Sequence, residues 1–170
     1  SKYYLEAQSI MTDVFLRTRD YDRAIAIIEQ LPEKTPQIRE AYQQVTFLRG
    51  LQLLGEDRLF EAQEMFEKSL ANPIDVSIQA QCLYWEAEIA YRQNDFSKSD
   101  LQLNKYFTVA KSTGNLPPEA SPAIAYYLQG YNAFKRNAYN QALGSFEKSI
   151  SGIKQDQVRY DQDQDYLATR

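Results

Sequence analysis

The residue types that most often carry catalysis are nearly absent from this chain. Its 170 residues include 1 Cys and no His. Without an imidazole the chain cannot form a Ser-His or Cys-His nucleophile pair, and it lacks the commonest protein ligand of transition metals. Cys82 follows Gln81 on a predicted helix with no histidine to deprotonate it, so we interpret it as a packed structural thiol and not a reactive one.

Acidic residues are the other potential source of chemistry. Asp161, Asp163 and Asp165 have the alternate spacing that begins a calcium-binding loop, but the glycine and the terminal glutamate of such a loop are missing. On a helix these carboxylates would point in different directions, so we interpret them as a solvated acidic helix start. The 6 glycines are scattered and form no phosphate-binding GxGxxG or GxxxxGK motif. The sequence therefore predicts no catalytic residue, no metal site, no cofactor and no enzymatic activity.

Composition and charge limit the class of partner. The chain has 19 basic and 23 acidic residues, a net charge of −4, and no basic cluster that could neutralise a run of phosphates. We therefore expect no nucleic-acid partner. No run approaches the roughly 18 apolar residues of a membrane-spanning helix, so we expect no transmembrane segment. The hydrophobic fraction of 44% can bury a core, and the low content of Gly and Pro, 6 each, favours helices over tight β-turns.

A repeated template indicates how these helices are arranged. Four segments begin with a large apolar residue, have a small residue three positions later, and end with a large apolar residue four positions beyond it. These segments are residues 21–28, 59–66, 96–103 and 139–146. This spacing defines one helix face. Small side chains at such points let two helices approach closely. The four small residues of this series are Ala24, Ala62, Ser99 and Ala142.

A second series lies twelve residues before the first and comprises Thr12, Gly50, Ala87 and Gly130. Short polar breaks separate the two series, and they include aspartates that are suited to capping the following helix: Asp20, Asp57 and Asp95. Proline-containing segments at 31–36, 72–73 and 112–118 end each helix pair. Both series recur at intervals of 38, 37 and 43 residues, which is typical of a helical repeat protein.

These patterns predict one all-α domain over residues 1–170. The repeat units are expected at about 2–35, 36–73, 74–116 and 117–153, with residues 154–170 as the start of a further repeat or a capping helix. Within these units, helices are expected near residues 2–17, 21–31, 36–54, 58–71, 75–92, 96–112, 119–136, 139–151 and 156–170.

The units resemble tetratricopeptide (TPR) repeats, which pair a small residue in the first helix with an alanine and an aromatic residue in the second. The fourth unit matches this pattern at Tyr126, Gly130, Phe134, Tyr139, Ala142 and Phe146. The resemblance implies a right-handed α-solenoid of about four antiparallel helix pairs plus a C-terminal helix. The sequence is similar in style to long bacterial TPR arrays, which implies a fragment of a longer bacterial protein.

The resemblance also implies a function and a location. In TPR proteins the first helices line a concave surface that binds a peptide or a helix of a partner protein, so we expect a protein-protein interaction scaffold. Carbohydrate binding on tyrosine faces, and a structural spacer or self-associating array, are the alternatives. A periplasmic or cell-envelope location is favoured over the cytoplasm. The residues carried over to the expected partner-binding surface are Phe47, Leu51, Tyr84, Glu88, Tyr91, Arg92, Tyr127, Tyr131 and Lys135.

Overall fold

A computed structural model describes residues 10, 13–14, 16–114 and 116–168, with the side chains up to residue 162. The helices are α1 (Tyr21–Glu29), α2 (Pro36–Gly55), α3 (Leu59–Leu70), α4 (Val76–Arg92), α5 (Phe96–Ala110), a 3-10 turn (Pro118–Ala120), α6 (Pro122–Lys135) and α7 (Tyr139–Ala168). Consecutive helices pack as antiparallel pairs, and these ranges contain no strand. The prediction of an all-α chain of helix pairs is confirmed, while most of the first expected helix, including Thr12, lies outside the described residues.

The chain divides into two compact units, Ser1–Glu86 and Ala87–Arg170, with the division inside α4. In the first unit, α1 and α2 share a buried cluster that includes Ile28, Ile38 and Val45. In the second unit, the buried residues of α5 and α6 include Leu103 and Leu128. Helices α1, α2, α5 and α6 therefore bury apolar residues that their sequences predict, because removal of apolar surface from water is the main driving force for packing.

The small residues of the two series mark close helix contacts. A Cβ atom added at Gly50 would lie 2.5 Å from the Phe66 ring, and one added at Gly130 would lie 2.5 Å from the Phe146 ring. These two contacts join residues sixteen apart in equivalent places of their units. The remaining small residues within the described ranges are all buried: Ala24, Ala62, Ala87, Ser99 and Ala142. The prediction that these positions are helix contacts is confirmed.

The turns within the helix pairs share one backbone conformation. Asp57, Asn94 and Asn137 have φ of 60–62°, in the left-handed region where Asp and Asn are tolerated better than most residues. In each turn the following N–H bonds to a carbonyl five residues back, as Arg58 does to Leu53, which is the Schellman helix end. Asp57 is therefore a helix-ending residue and not the predicted N-cap. Asp95 does cap α5 by accepting from the Lys98 N–H at 3.0 Å, whereas Asp20 makes no such bond.

The C-terminal part differs from the prediction. We expected separate helices near 139–151 and 156–170, but α7 runs without a break from Tyr139 to Ala168. Gly152, which lies between the two expected helices, stays helical, and a Cβ atom added to it would lie 3.0 Å from the Cβ of Ala123 on α6. Gly152 therefore permits close packing of α7 against α6. The helix continues beyond it because no proline follows.

The described helices also differ from membrane spans. None of those in the described part of the chain combines the length and the apolar character that crossing a bilayer requires.

Candidate functional site

Three tyrosines from two helices form one aromatic surface in the second unit. We call Tyr91 of α4 and Tyr127 and Tyr131 of α6 the tyrosine surface. The ring centroids of Tyr127 and Tyr131 are 4.9 Å apart and those of Tyr91 and Tyr131 are 6.4 Å apart, with both pairs edge to face. Tyr127 and Tyr131 share a helix face because they are four residues apart. The structure therefore brings three of the predicted partner-binding residues together.

Neighbouring rings hold the tyrosine surface in place. Phe146 of α7 lies 5.3 Å from Tyr131 and 5.9 Å from Tyr127, and Phe96 lies 5.7 Å from Tyr91, measured between ring centroids. Tyr91 and Tyr131 are half-buried, whereas Tyr127 is 48% exposed. The pre-formed packing means that a ligand contacting Tyr127 would meet a ring whose orientation is already fixed.

The hydroxyl groups of the tyrosine surface also interact. The Tyr127 hydroxyl donates a hydrogen bond to the Tyr131 hydroxyl at 3.3 Å. This hydrogen bond, together with the Tyr131 charge, raises the pKa of Tyr127 above its ordinary value. The single Tyr127 hydroxyl proton is thus directed to Tyr131, and the Tyr127 oxygen can accept a hydrogen bond from a polar ligand group.

Charged residues flank the tyrosine surface. Arg92 forms an ion pair with Glu88 one helical turn earlier on α4, with 3.1 Å between Nε and Oε1. Lys135 is exposed in the last turn of α6. These three predicted residues give the apolar rings a charged rim, which is the usual composition around a protein-binding patch.

The other predicted residues lie in the first unit and are less accessible. Phe47 is 6% exposed, with its ring centroid 6.2 Å from that of Phe66, and Tyr84 is 5% exposed. Leu51 is half-buried. Contrary to the prediction, Phe47 and Tyr84 offer almost no contact area to a partner. Neighbouring rings contact both residues: Phe66 of α3 contacts Phe47, and the Trp85 ring lies 4.9 Å from the Tyr84 ring, measured between centroids.

Gln43 is a buried polar residue that sequence reasoning missed. Its side-chain carbonyl accepts from the backbone N–H groups of Ile74 and Asp75 at 3.2 and 2.7 Å, and its amide donates to the Asp75 carbonyl at 2.9 Å. Ser69 donates to the Gln43 backbone carbonyl at 2.8 Å. The spacing of seven residues between Gln43 and Gly50 was a signal that both lie on one helix face. Gln43 fixes the turn between α3 and α4.

A second polar network joins α5 to α6. Asn132 donates to Ser99 and to Asp100, both at 2.8 Å, and Arg136 forms an ion pair with Asp100. Asn132 and Ser99 are fully buried. Because these bonds are directional, they set the register between the two helices and so support the position of Tyr131 on α6.

Cys82 is buried, which agrees with its interpretation as a structural thiol. Burial raises the pKa of the Cys82 thiol to about 12, and the negative charge of Glu86 adds to this effect. We predict that a disulfide exchange reagent at pH 8 modifies the native thiol at least about a hundredfold more slowly than the thiol of the unfolded chain. Absorbance at the wavelength of the released thiolate measures both rates, with urea-unfolded protein as the control. Equally rapid modification of native and unfolded protein would contradict a packed Cys82.

No metal site is evident in the part of the chain whose side chains are described, where no three Cys, Asp or Glu residues cluster in a metal-binding geometry. Asp161 falls within this part, whereas the side chains of Asp163 and Asp165 lie outside it. Comparison with known proteins adds no assignment, since neither a protein-family model nor a curated protein matches this sequence.

Proposed function

We propose that this chain is a scaffold that binds a polypeptide, either an extended peptide or a helix of a partner protein, on the tyrosine surface. In this proposal the helix pairs are TPR-like and stack into a right-handed α-solenoid, and the chain has no enzymatic activity. The observation that carries the proposal is the edge-to-face series of Tyr91, Tyr131 and Tyr127, which ends in a ring that is 48% exposed.

Two repeated features support the TPR-like part of the proposal. Gly50 and Gly130 each contact the aromatic ring sixteen residues later, as in the small-residue and aromatic pairing of that family. The left-handed residues Asp57, Asn94 and Asn137 follow one another at intervals of 37 and 43, which match the intervals of the small residues. A chain with one recurring contact and one recurring turn is built from equivalent units.

The chemistry of the tyrosine surface favours a polypeptide ligand. Tyrosine supplies a large apolar face and a polar tip with few torsions to immobilise, which is why it is enriched at protein interfaces. The adjacent Arg92 and Glu88 offer both charges to peptide side chains. Sugar binding requires open ring faces, yet the Tyr131 ring is half-buried among Tyr91, Tyr127 and Phe146. Carbohydrate is therefore the less favoured ligand.

The test is to select peptides from a displayed random library and to measure their affinity by titration calorimetry. We predict that Tyr127→Ala weakens the binding of a selected peptide about tenfold, because tyrosine is enriched among the interface residues whose truncation costs more than about 1 kcal/mol. Tyr127→Phe separates the ring from the hydroxyl and should retain most of the affinity if ring contact dominates. A soluble oligosaccharide mixture is titrated in parallel.

Phe60→Ala is the matched control, because Phe60 is an exposed aromatic residue of α3, 72% accessible, outside the tyrosine surface. It should leave peptide affinity unchanged. Equal affinities of the wild type and Tyr127→Ala for every selected peptide would move the site elsewhere. Saturable binding of oligosaccharide without peptide binding would replace the proposal with its carbohydrate alternative.

A further inference from the structure

Helix α7 carries an uncovered apolar stripe. Five residues of this stripe are each between 51% and 60% exposed: Tyr139, Leu143, Ile150, Ile153 and Tyr160. With the half-buried Phe146 and with Gln157, these residues are spaced alternately by four and three positions. We call this set of seven residues the α7 seam. Alternation of four and three over three heptads is the pattern of a helix that packs lengthwise against another helix.

The equivalent face of α5 shows what such a stripe contacts. Asp100 and Phe107 lie 43 residues before Leu143 and Ile150, which is the interval between these units. Phe107 stacks on Tyr126 of α6 with 4.3 Å between ring centroids, and Asp100 bonds to Asn132. This face of α5 is therefore covered by α6, within the second unit. The α7 seam continues the same kind of interface, so a helix is the shape that fits it.

Charges beside the seam identify a suitable helix. Glu147 and Lys154 are exposed and lie one heptad apart on the same flank of the seam, at the position that borders the partner in a coiled coil. If a second α7 runs antiparallel with Ile150 opposite Ile153 of the other copy, Glu147 of each chain faces Lys154 of the other. The same register sets Leu143 opposite Tyr160. The seam is thus self-complementary at Ile150 with Ile153, at Leu143 with Tyr160 and in its charged positions, while Phe146 lies opposite Gln157.

We propose that two copies of this chain associate through antiparallel pairing of their α7 seams, with a twofold axis between Ile150 and Ile153. Two Ile150 to Ile153 contacts form the centre of the interface, and two Glu147 to Lys154 ion pairs form its rim. Twofold pairing of one patch with itself is the commonest way in which soluble proteins associate. An apolar stripe of this length is also unusual on a monomer, because it exposes a continuous patch to water.

The experiment is sedimentation equilibrium of the full chain over a concentration series. The wild type is expected to reach the mass of two chains, and Ile150→Asp is expected to remain at the mass of one. Glu147→Lys and Lys154→Glu should each weaken dimerisation about tenfold, because both rim pairs become repulsive. The double variant Glu147→Lys with Lys154→Glu should restore the wild-type dissociation constant, since each pair is re-formed with its charges exchanged.

Controls make each outcome decisive. Lys105→Glu reverses an exposed charge of α5 away from the seam and should dimerise like the wild type. Circular dichroism establishes that each variant keeps its helical content. A wild type that stays monomeric up to about 0.5 mM would overturn the proposal, and so would a double variant as weak as the single variants, because only this register exchanges the two charges. If the seam binds a different helix instead, the chain by itself would stay monomeric at all concentrations.

The dimer and the proposed peptide site adjoin at Phe146, which belongs to the seam and contacts Tyr127 and Tyr131, so each is tested by variants at other residues. Glu147 and Lys154 lie on the flank of α7 opposite to its buried residues Ala142, Ser145 and Ser149, which pack towards α6. Their variants should therefore bind a selected peptide as the wild type does. Tyr91→Ala, on α4, should lose peptide affinity and keep the dimer.

Discussion

Replacement of Gly50 by leucine is expected to lower the free energy of unfolding by about 3 kcal/mol. Even the first carbon of the new side chain would lie 2.5 Å from the ring of Phe66, which is fully buried and has no free space into which to move. The overpacking must therefore separate α2 from α3. Urea unfolding followed by circular dichroism measures the loss, which should appear as a lower midpoint with a similar slope.

Gly144→Ala is the matched control for this prediction. Gly144 also lies inside a helix, but a Cβ added there meets no atom within 4 Å. Alanine restricts the unfolded backbone more than glycine does, so this change should stabilise the protein by about 0.5–1 kcal/mol. If Gly50→Leu unfolded at the wild-type urea concentration, the contact between the small residue and the ring would not be a constraint on helix packing.

Truncation of Gln43 to alanine is expected to cost about 3 kcal/mol. The change leaves the N–H of Asp75 without its acceptor and removes one of two partners from the Ile74 N–H and from the Asp75 carbonyl, which keep their bonds to Asn72 and Gln79. It also opens a cavity where a fully buried side chain stood. The same urea titration measures the effect. Hydrogen exchange should also show faster exchange at Asp75, because this amide loses its acceptor, whereas the Ile74 amide keeps its bond to the Asn72 carbonyl.

Two further variants separate the causes of this loss. Gln44→Ala removes a neighbouring glutamine that is exposed, and it should change stability by less than about 0.5 kcal/mol. Gln43→Glu keeps an acceptor for the two N–H groups but sets a carboxylate against the Asp75 carbonyl, so it should also be destabilising. Equal stabilities of Gln43→Ala and Gln44→Ala would show that the bonds to the turn contribute little.

The helix pairs were predictable because their signals are local. An apolar stripe at helical spacing and a proline or a polar break lie within a few residues of one another, and chain geometry converts them directly into helices and turns. The small residues at 50, 62, 87, 99, 130 and 142 were recognised by recurrence, and all six are buried. The expected break between residues 151 and 156 is wrong, because the helix continues through Gly152, whose contact with Ala123 is distant in sequence.

The functional surface was predictable only in part. Phe47 and Tyr84 are buried. The predicted residues in the second unit are exposed or half-buried, and these are Glu88, Tyr91, Arg92, Tyr127, Tyr131 and Lys135. The positions of these second-unit residues followed from the resemblance to TPR repeats. Their accessibility did not, since matching positions of a repeat can also pack into a core.

Three aromatic residues show which properties the sequence alone does not determine, and these are Phe47, Tyr84 and Tyr127. All three lie three residues before a small residue of the repeat, so the sequence determined their secondary structure and their helix face and made them equivalent. Tertiary structure made them different, because Phe47 and Tyr84 are almost fully covered while Tyr127 keeps 48% of its surface exposed. Helix face depends on local periodicity, whereas exposure depends on atoms that are distant along the chain.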